Sequence, residues 1–304
     1  MRPVVYPADW LFRTELPPLG EYGRRLLAEG DSWFTIGTLN LPEASNILFK
    51  LECTQSTAIV NCAYPGDTLR HIVDCVDDPY FDRLLRHRRF ASFWEAVLIS
   101  GGGNDLIDAI NAPAQNDEGQ PNPRDRRLLL TRDEVAENPS ATGPERYISE
   151  GGWDRFATYL TLNFAELVRR RDEGPSRGRP MFAHTYAVPT VRPAGTIGKP
   201  QGWLYPAFVA FEIPQDDRQA VVELLFSRMR QLLLGLDQGS GQPSALAHLH
   251  VFDSAGLSEI EPALPGTTGK SMDWINEIHL TPDGYRKLGG ALGARIDAVL
   301  ATYP

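Results

Sequence analysis

Cysteine, net positive charge and long apolar runs are all scarce in this chain. Its 304 residues include three cysteines, Cys53, Cys62 and Cys75. The odd count and the lack of a CxxC spacing speak against a disulfide framework or a zinc site. Such thiols fit a reducing compartment, where they pack as small apolar residues. Lys and Arg number 30 against 39 Asp and Glu, a formal net charge of -9. A general nucleic-acid binder needs clustered cations for phosphate, so nucleic acid is not an expected partner. Short basic runs at 86–89 and 169–171 lie within helical patterns and read as solvated faces. No stretch approaches the roughly 18 consecutive apolar residues of a membrane span. The opening Met1-Arg2-Pro3-Val4-Val5-Tyr6-Pro7 has no continuous apolar segment. No secretory leader is therefore expected, and the expected location is cytoplasmic.

What is present is an ordinary globular composition, 42% hydrophobic and 23% charged. A chain of this length buries about 75% of its unfolded surface and needs no covalent staples. Residues 1–22, with four prolines, read as an irregular surface wrap. Strand-like apolar runs follow at about 24–30, 58–63, 96–100, 181–186 and 245–252. Helical stripes lie between them. Pro42 fits the first turn of one helix, with Ile47, Leu48 and Leu51 on its inner face. Phe81, Leu84, Leu85, Phe90, Phe93 and Trp94 supply further helical spacing. Trp153 to Leu167 and Val221 to Leu236 are the strongest helices. Thr281-Pro282 starts the last one. This alternation predicts one α/β domain, 1–304, as a three-layer α/β/α sandwich around a five-stranded parallel sheet. Two stretches, about 111–148 and 189–214, read as loop insertions. The second carries Trp203 and Tyr205, either a pocket wall with Trp33 or a satellite cluster pinning the loop.

Four segments fall at one edge of that sheet. Gly30-Asp31-Ser32-Trp33 follows the first strand. Ser32 there is either a nucleophile on a strand-to-helix turn or, with Asp31, only a helix start. Gly66 follows the second strand and Gly102-Gly103-Asn104-Asp105 the third. Asn276-Glu277-Ile278-His279 precedes the last helix. Acyl transfer by a serine needs a base and donors aimed at the developing oxyanion. His279 can be the base. The N–H groups of Ser32 and Gly66 and the Asn104 amide can be the donors. Asp31 reads as structural. His184 and Tyr186 read as core-edge groups and Asp253 as a turn cap. His248 and His250 alternate like metal ligands, but no third ligand accompanies them. The triple glycine lacks a nucleotide-binding spacing.

These four segments, in this order, resemble the SGNH hydrolases, also called GDSL lipases and esterases, over roughly residues 24–295. The family's Ser, Gly, Asn and His correspond to Ser32, Gly66, Asn104 and His279. The resemblance implies a flavodoxin-like strand order 2-1-3-4-5 and a serine esterase without metal or organic cofactor. Two positions depart from its pattern. Trp33 stands where the name motif has Leu. Asn276 stands where the last block, Asp-x-x-His, has its acid. An amide can orient an imidazole but cannot offset its positive charge; in the serine-protease template that exchange costs about ten-thousand-fold in turnover. Asn276 is the favoured orienting group, with Asp273 nearby. Asp273 itself, Glu277 or a bare Ser–His dyad are the alternatives. The expected activity is hydrolysis of small or medium acyl esters through an acyl-enzyme. A weakly catalytic acyl-binding protein and an acyltransferase to a sugar hydroxyl are the rival readings. The expected partner is a small acyl ester.

Overall fold

The central strands form around short β-branched and aliphatic segments such as Leu26-Leu27-Ala28, Ala58-Ile59-Val60 and Ala96-Val97-Leu98-Ile99, as in strands buried on both faces. In the computed structural model, which describes residues 1–36, 44–74 and 79–303, six strands make one sheet. They are β1 (Val4–Pro7), β2 (Arg24–Gly30), β3 (Thr57–Asn61), β4 (Ala96–Ser100), β5 (Met181–His184) and β6 (Leu249–Phe252). All pairings are parallel, in the order β1-β3-β2-β4-β5-β6. The five expected strands are present in the expected relative order. The expected count is corrected to six. The "irregular" N-terminus supplies β1, whose Val4 to Pro7 pair with Ala58 to Asn61. Val and Tyr favour the pleat, and an edge position tolerates a proline that cannot donate.

Among the described residues, ten α-helices accompany the sheet: α1 (Ser32–Thr35), α2 (Ile47–Lys50), α3 (Leu69–Asp74), α4 (Pro79–Arg86), α5 (Gly103–Asn111), α6 (Arg132–Ala136), α7 (Glu150–Glu173), α8 (Tyr205–Ala210), α9 (Gln215–Leu236) and α10 (Pro282–Leu300). Pro42 and Cys75 lie outside the described residues. Phe90, Phe93 and Trp94 are not helical, because α4 stops at Arg86; the two phenylalanines are partly exposed and only Trp94 is fully buried. The last strand is shorter than expected. His248 has φ 58, a left-handed conformation that breaks extended pairing just before Leu249. His248 and His250 both meet the Tyr303 hydroxyl, at 3.0 and 3.1 Å.

One buried core runs from Ala8 to Leu300. Both excursions are pinned to it. Leu128, Leu129, Tyr147 and Ile148 anchor the first, and a Leu129–Ile148 bridge closes its base. Leu204, Phe208, Phe211 and Ile213 anchor the second. No helix among the described residues is long and apolar enough to cross a membrane.

In open parallel sheets the crevice forms at the carboxyl edge, where successive crossovers leave in opposite directions. Here β2 leads to β3 on one side, and β3 leads across to β4 on the other. Gly30 pairs with Ser100 at the ends of β2 and β4. Ser32 and Asn104 follow those two ends directly.

Candidate active site

Asp31 caps α1, its Oδ1 accepting from Trp33 N–H at 2.9 Å. Ser32 is thus the first helical residue, and its N–H has no intrahelical acceptor. The helix-start reading of Asp31-Ser32 is realised, and it places Ser32 on the strand-to-helix turn. Ser32 Oγ lies 2.7 Å from His279 Nε2, across 247 residues of chain.

The His279 ring is held by a folded-back loop. Ser271 and Trp274 bridge, Ile275 N–H donates to His279 C=O at 2.9 Å, and Thr281 N–H to Asp273 C=O at 2.7 Å. Within it Asn276 makes an Asx-type turn, a local alternative to regular pairing open to Asn and Asp. Its Oδ1 accepts from the N–H groups of Ile278 (3.1 Å) and His279 (2.8 Å) and lies 3.1 Å from His279 Nδ1. Two backbone donors fix which end of the amide faces the ring. The facing atom must be oxygen, so Nδ1 carries the proton and Nε2 is left to accept. Burial lowers the His279 pKa to about 4 and keeps the ring neutral.

Asp273 does not join this chain. Its Oδ2 is 2.7 Å from Lys287 Nζ and accepts the Glu261 N–H at 2.7 Å. Glu277 also turns away, toward the second excursion. Its carboxylate accepts backbone N–H groups from Arg192, Trp203, Leu204 and Tyr205. Burial pushes its pKa up to about 7, against the pull of those donors. Gly202 has φ +91, and a Cβ there would sit 2.3 Å from Glu277 Oε2, so only glycine lets the loop close. The Arg192 guanidinium donates to the Asn276 C=O at 2.6 Å. Glu277→Ala should leave four amides near a buried gap and cost about 3 kcal/mol. Urea unfolding checks this; a loss under about 0.5 kcal/mol would refute it.

Beneath Ser32 lies a buried polar chain that residue types alone do not reveal. Ser100 Oγ donates to Asp31 Oδ1 (2.7 Å), Tyr186 OH to Asp31 Oδ2 (2.5 Å), and His184 Nε2 lies 3.0 Å from Ser100 Oγ. Burial raises the Asp31 pKa to about 6 despite these donors, and lowers that of His184 to about 3. Asp31 thus fixes the turn. The start of α5 packs on the same group: a Cβ on Gly103 would lie 2.7 Å from the Tyr186 ring.

Asn104 Nδ2 donates to the Asp67 C=O at 2.9 Å, tying α5 to the loop after β3. One amide hydrogen is committed there and one is left. Gly66, with φ +90, sits in the exposed turn that Asp67 N–H closes on Tyr64 C=O.

Two depressions lie near the Ser32–His279 pair: Ser32 lines the first, and the second connects to it through Ile107 and to His279 through Trp203. A narrow one of about 20 Å³ is lined by Ser32, Trp33, Asn104 and Ile107, with Phe226 behind. An open one of about 430 Å³ is lined by Ile107, Asp108, Asn111 and the loop from Lys199 to Trp203. Trp33 is mainly a core residue, edge-on to Tyr186 and Tyr285. Trp203 stands edge-on to the His279 ring, with centroids 5.3 Å apart. Tyr205 donates its N–H to Glu277 and carries Arg218 over its ring. Phe226 is the residue here that periodicity missed. Among the described residues, no group of three His, Cys, Asp or Glu side chains could hold a metal ion.

No protein-family model and no curated protein matches the chain. Solved structures similar to it include an extracellular lipase from Streptomyces rimosus, 11% identical, covering 91% of this chain and 99% of that one, with a TM-score of 0.46. A phospholipase A1 from Streptomyces albidoflavus is 12% identical over 90% and 98% of the two chains, TM-score 0.42. A lipase/acylhydrolase from Enterococcus faecalis is 13% identical over 91% and 96%, TM-score 0.41.

Proposed function

We propose that the protein is a serine carboxylester hydrolase of the SGNH type. The observation that carries this is the continuous chain Ser32 Oγ–His279–Asn276 Oδ1 at 2.7 and 3.1 Å. Ser32 Oγ attacks the ester carbonyl carbon, and its proton passes to His279 Nε2. The tetrahedral oxyanion accepts from Ser32 N–H and the second Asn104 amide hydrogen, with the Gly66 N–H a further donor at the rim. Preorganised donors of this kind stabilise charge where it develops. When the C–O bond breaks, His279 returns the proton to the leaving alcohol. Water then releases the acyl group from Ser32 by the same steps.

A base must be neutral to act. His279 is neutral above its pKa of about 4, so kcat/KM should hold its plateau down to about pH 5 and fall below it. A profile of kcat/KM against pH checks this. A half-maximal point near pH 6.5, the value of an unperturbed histidine, would overturn the role given to this buried ring. Hydrolysis of p-nitrophenyl acetate, present in the native protein and lost in Ser32→Ala, tests the reading as a whole.

A further inference from the structure

The depression lined by Ser32 and the one reaching Trp203 differ in size and polarity, and the chemistry assigns an occupant to each. This step rests on the serine-esterase reading above. His279 must hand its proton to the leaving oxygen, so the alcohol lies on the His279 side of the scissile bond. That side holds Trp203, edge-on to the imidazole, and the open depression of about 430 Å³ with Asp108, Asn111 and Lys199 along it. The acyl group is assigned the narrow cavity that Ser32 itself lines.

That cavity is about 20 Å³; Asp31, Ser32, Asn104 and Tyr186 supply its polar side, and the rest of its wall is mainly apolar, with Trp33, Ile107, Ala187, Pro189, Phe226 and Ile278. A space near 10–15 Å³ on this measure holds one water-sized group. The walls cannot open cheaply. Trp33, Ile107, Phe226 and Ile278 are each at least 93% buried, and interiors packed to crystal density resist displacement. Phe226 belongs to α9 and Ile107 to α5, both regular helices anchored in the core.

We propose that the acyl group accepted beside Ser32 is acetyl or at most propionyl, and that the Phe226 ring, with Ile107, sets this limit. Longer acyl chains meet the ring before the carbonyl carbon reaches Ser32 Oγ.

The test is a chain-length series of p-nitrophenyl acetate, butyrate and octanoate on the native protein, Phe226→Ala, Phe226→Leu and Ser32→Ala. The readout is the ratio of kcat/KM values within each preparation, which is independent of how much of a variant folds. The native protein should favour acetate over octanoate by about 100-fold or more, since each methylene a pocket refuses is worth about 10-fold or more. Phe226→Ala should lower that ratio at least about tenfold, and Phe226→Leu, which keeps more of the core filled, should fall between. Octanoate turned over as well as acetate, in a Ser32-dependent way, overturns the size limit and leaves the esterase reading standing. A ratio unchanged in Phe226→Ala overturns the assignment of this cavity to the acyl group. No Ser32-dependent turnover of any ester overturns the esterase reading, and the inference with it.

Discussion

Replacing Ser32 with alanine should lower kcat/KM for p-nitrophenyl acetate by about 10⁴-fold or more, with the fold unchanged. Loss of a nucleophile removes the covalent route altogether, and what survives comes from binding and the oxyanion donors alone. The fold should survive because Ser32 bears little of it. The turn is fixed by Asp31 through Trp33, Ser100 and Tyr186, not by the Ser32 hydroxyl. The substitution removes one oxygen, whose hydrogen-bond partner is His279 Nε2. Two measurements check this. Turnover should fall to the level of added protein without a nucleophile, and covalent labelling of the native protein by a small fluorophosphonate should be absent in Ser32→Ala. Turnover retained within tenfold would show that another group carries the reaction.

The second large effect belongs to Asn276, and here two substitutions are expected to move in opposite directions. Asn276→Ala removes the acceptor for His279 Nδ1 and for two backbone N–H groups. The ring loses its orientation and its enforced tautomer. Loss of kcat/KM should be about 10²- to 10³-fold, less than the ~10⁴-fold cost of losing an anionic partner in the serine-protease template. Asn276→Asp keeps the three acceptor contacts and adds a negative charge beside the ring. A carboxylate stabilises the imidazolium, so the His279 pKa should rise from about 4, because an opposite charge favours the charged form. The acid limb of the pH profile should move up by the same amount, while kcat/KM on the plateau should rise by about tenfold. The template's penalty for an amide comes largely from the wrong tautomer. That penalty is mostly absent here, because the Ile278 and His279 N–H groups already turn the amide oxygen to the ring. A fall in plateau activity for Asn276→Asp with an unmoved acid limb would overturn this account.

Much of this arrangement was legible in the residues, for reasons that can be named. Ser32, Gly66, Asn104 and His279 each sit beside a strong local signal: the end of an apolar strand, a glycine turn, or a Thr-Pro helix start. The parallel sheet was legible because β4 is an apolar run up to Ser100 and β2 has an apolar centre, Leu26-Leu27-Ala28. β1 was not, since the three residues between Pro3 and Pro7 give no periodicity and only pairing to Ala58–Asn61 makes this segment a strand. Glu277 was weighed as a partner of His279 because it lies two positions away. Its actual donors are 72 to 85 positions distant, which no local pattern encodes. Phe226 lies inside the expected helix from Val221 to Leu236 but off its expected stripe, and Ile107 lies in no expected element; only the cavity that both line makes them a wall.

The carboxylate of Glu277 carries a consequence for how this scaffold can change over time. It stands in the same four-residue stretch as Asn276 and His279, yet it fastens the backbone at 192 and 203–205. Lineages that lengthen or shorten the loop between those points would disturb the seat of His279 as well as the depression lined by Lys199 to Trp203. Diversification of substrate range on that side should therefore proceed by exchange of side chains such as Lys199, Gln201 and Trp203, with loop length held constant. The excursion from 111 to 148, fastened to the core through Leu128, Leu129, Tyr147 and Ile148, has no such tie to the His279 stretch and is the segment free to vary in length.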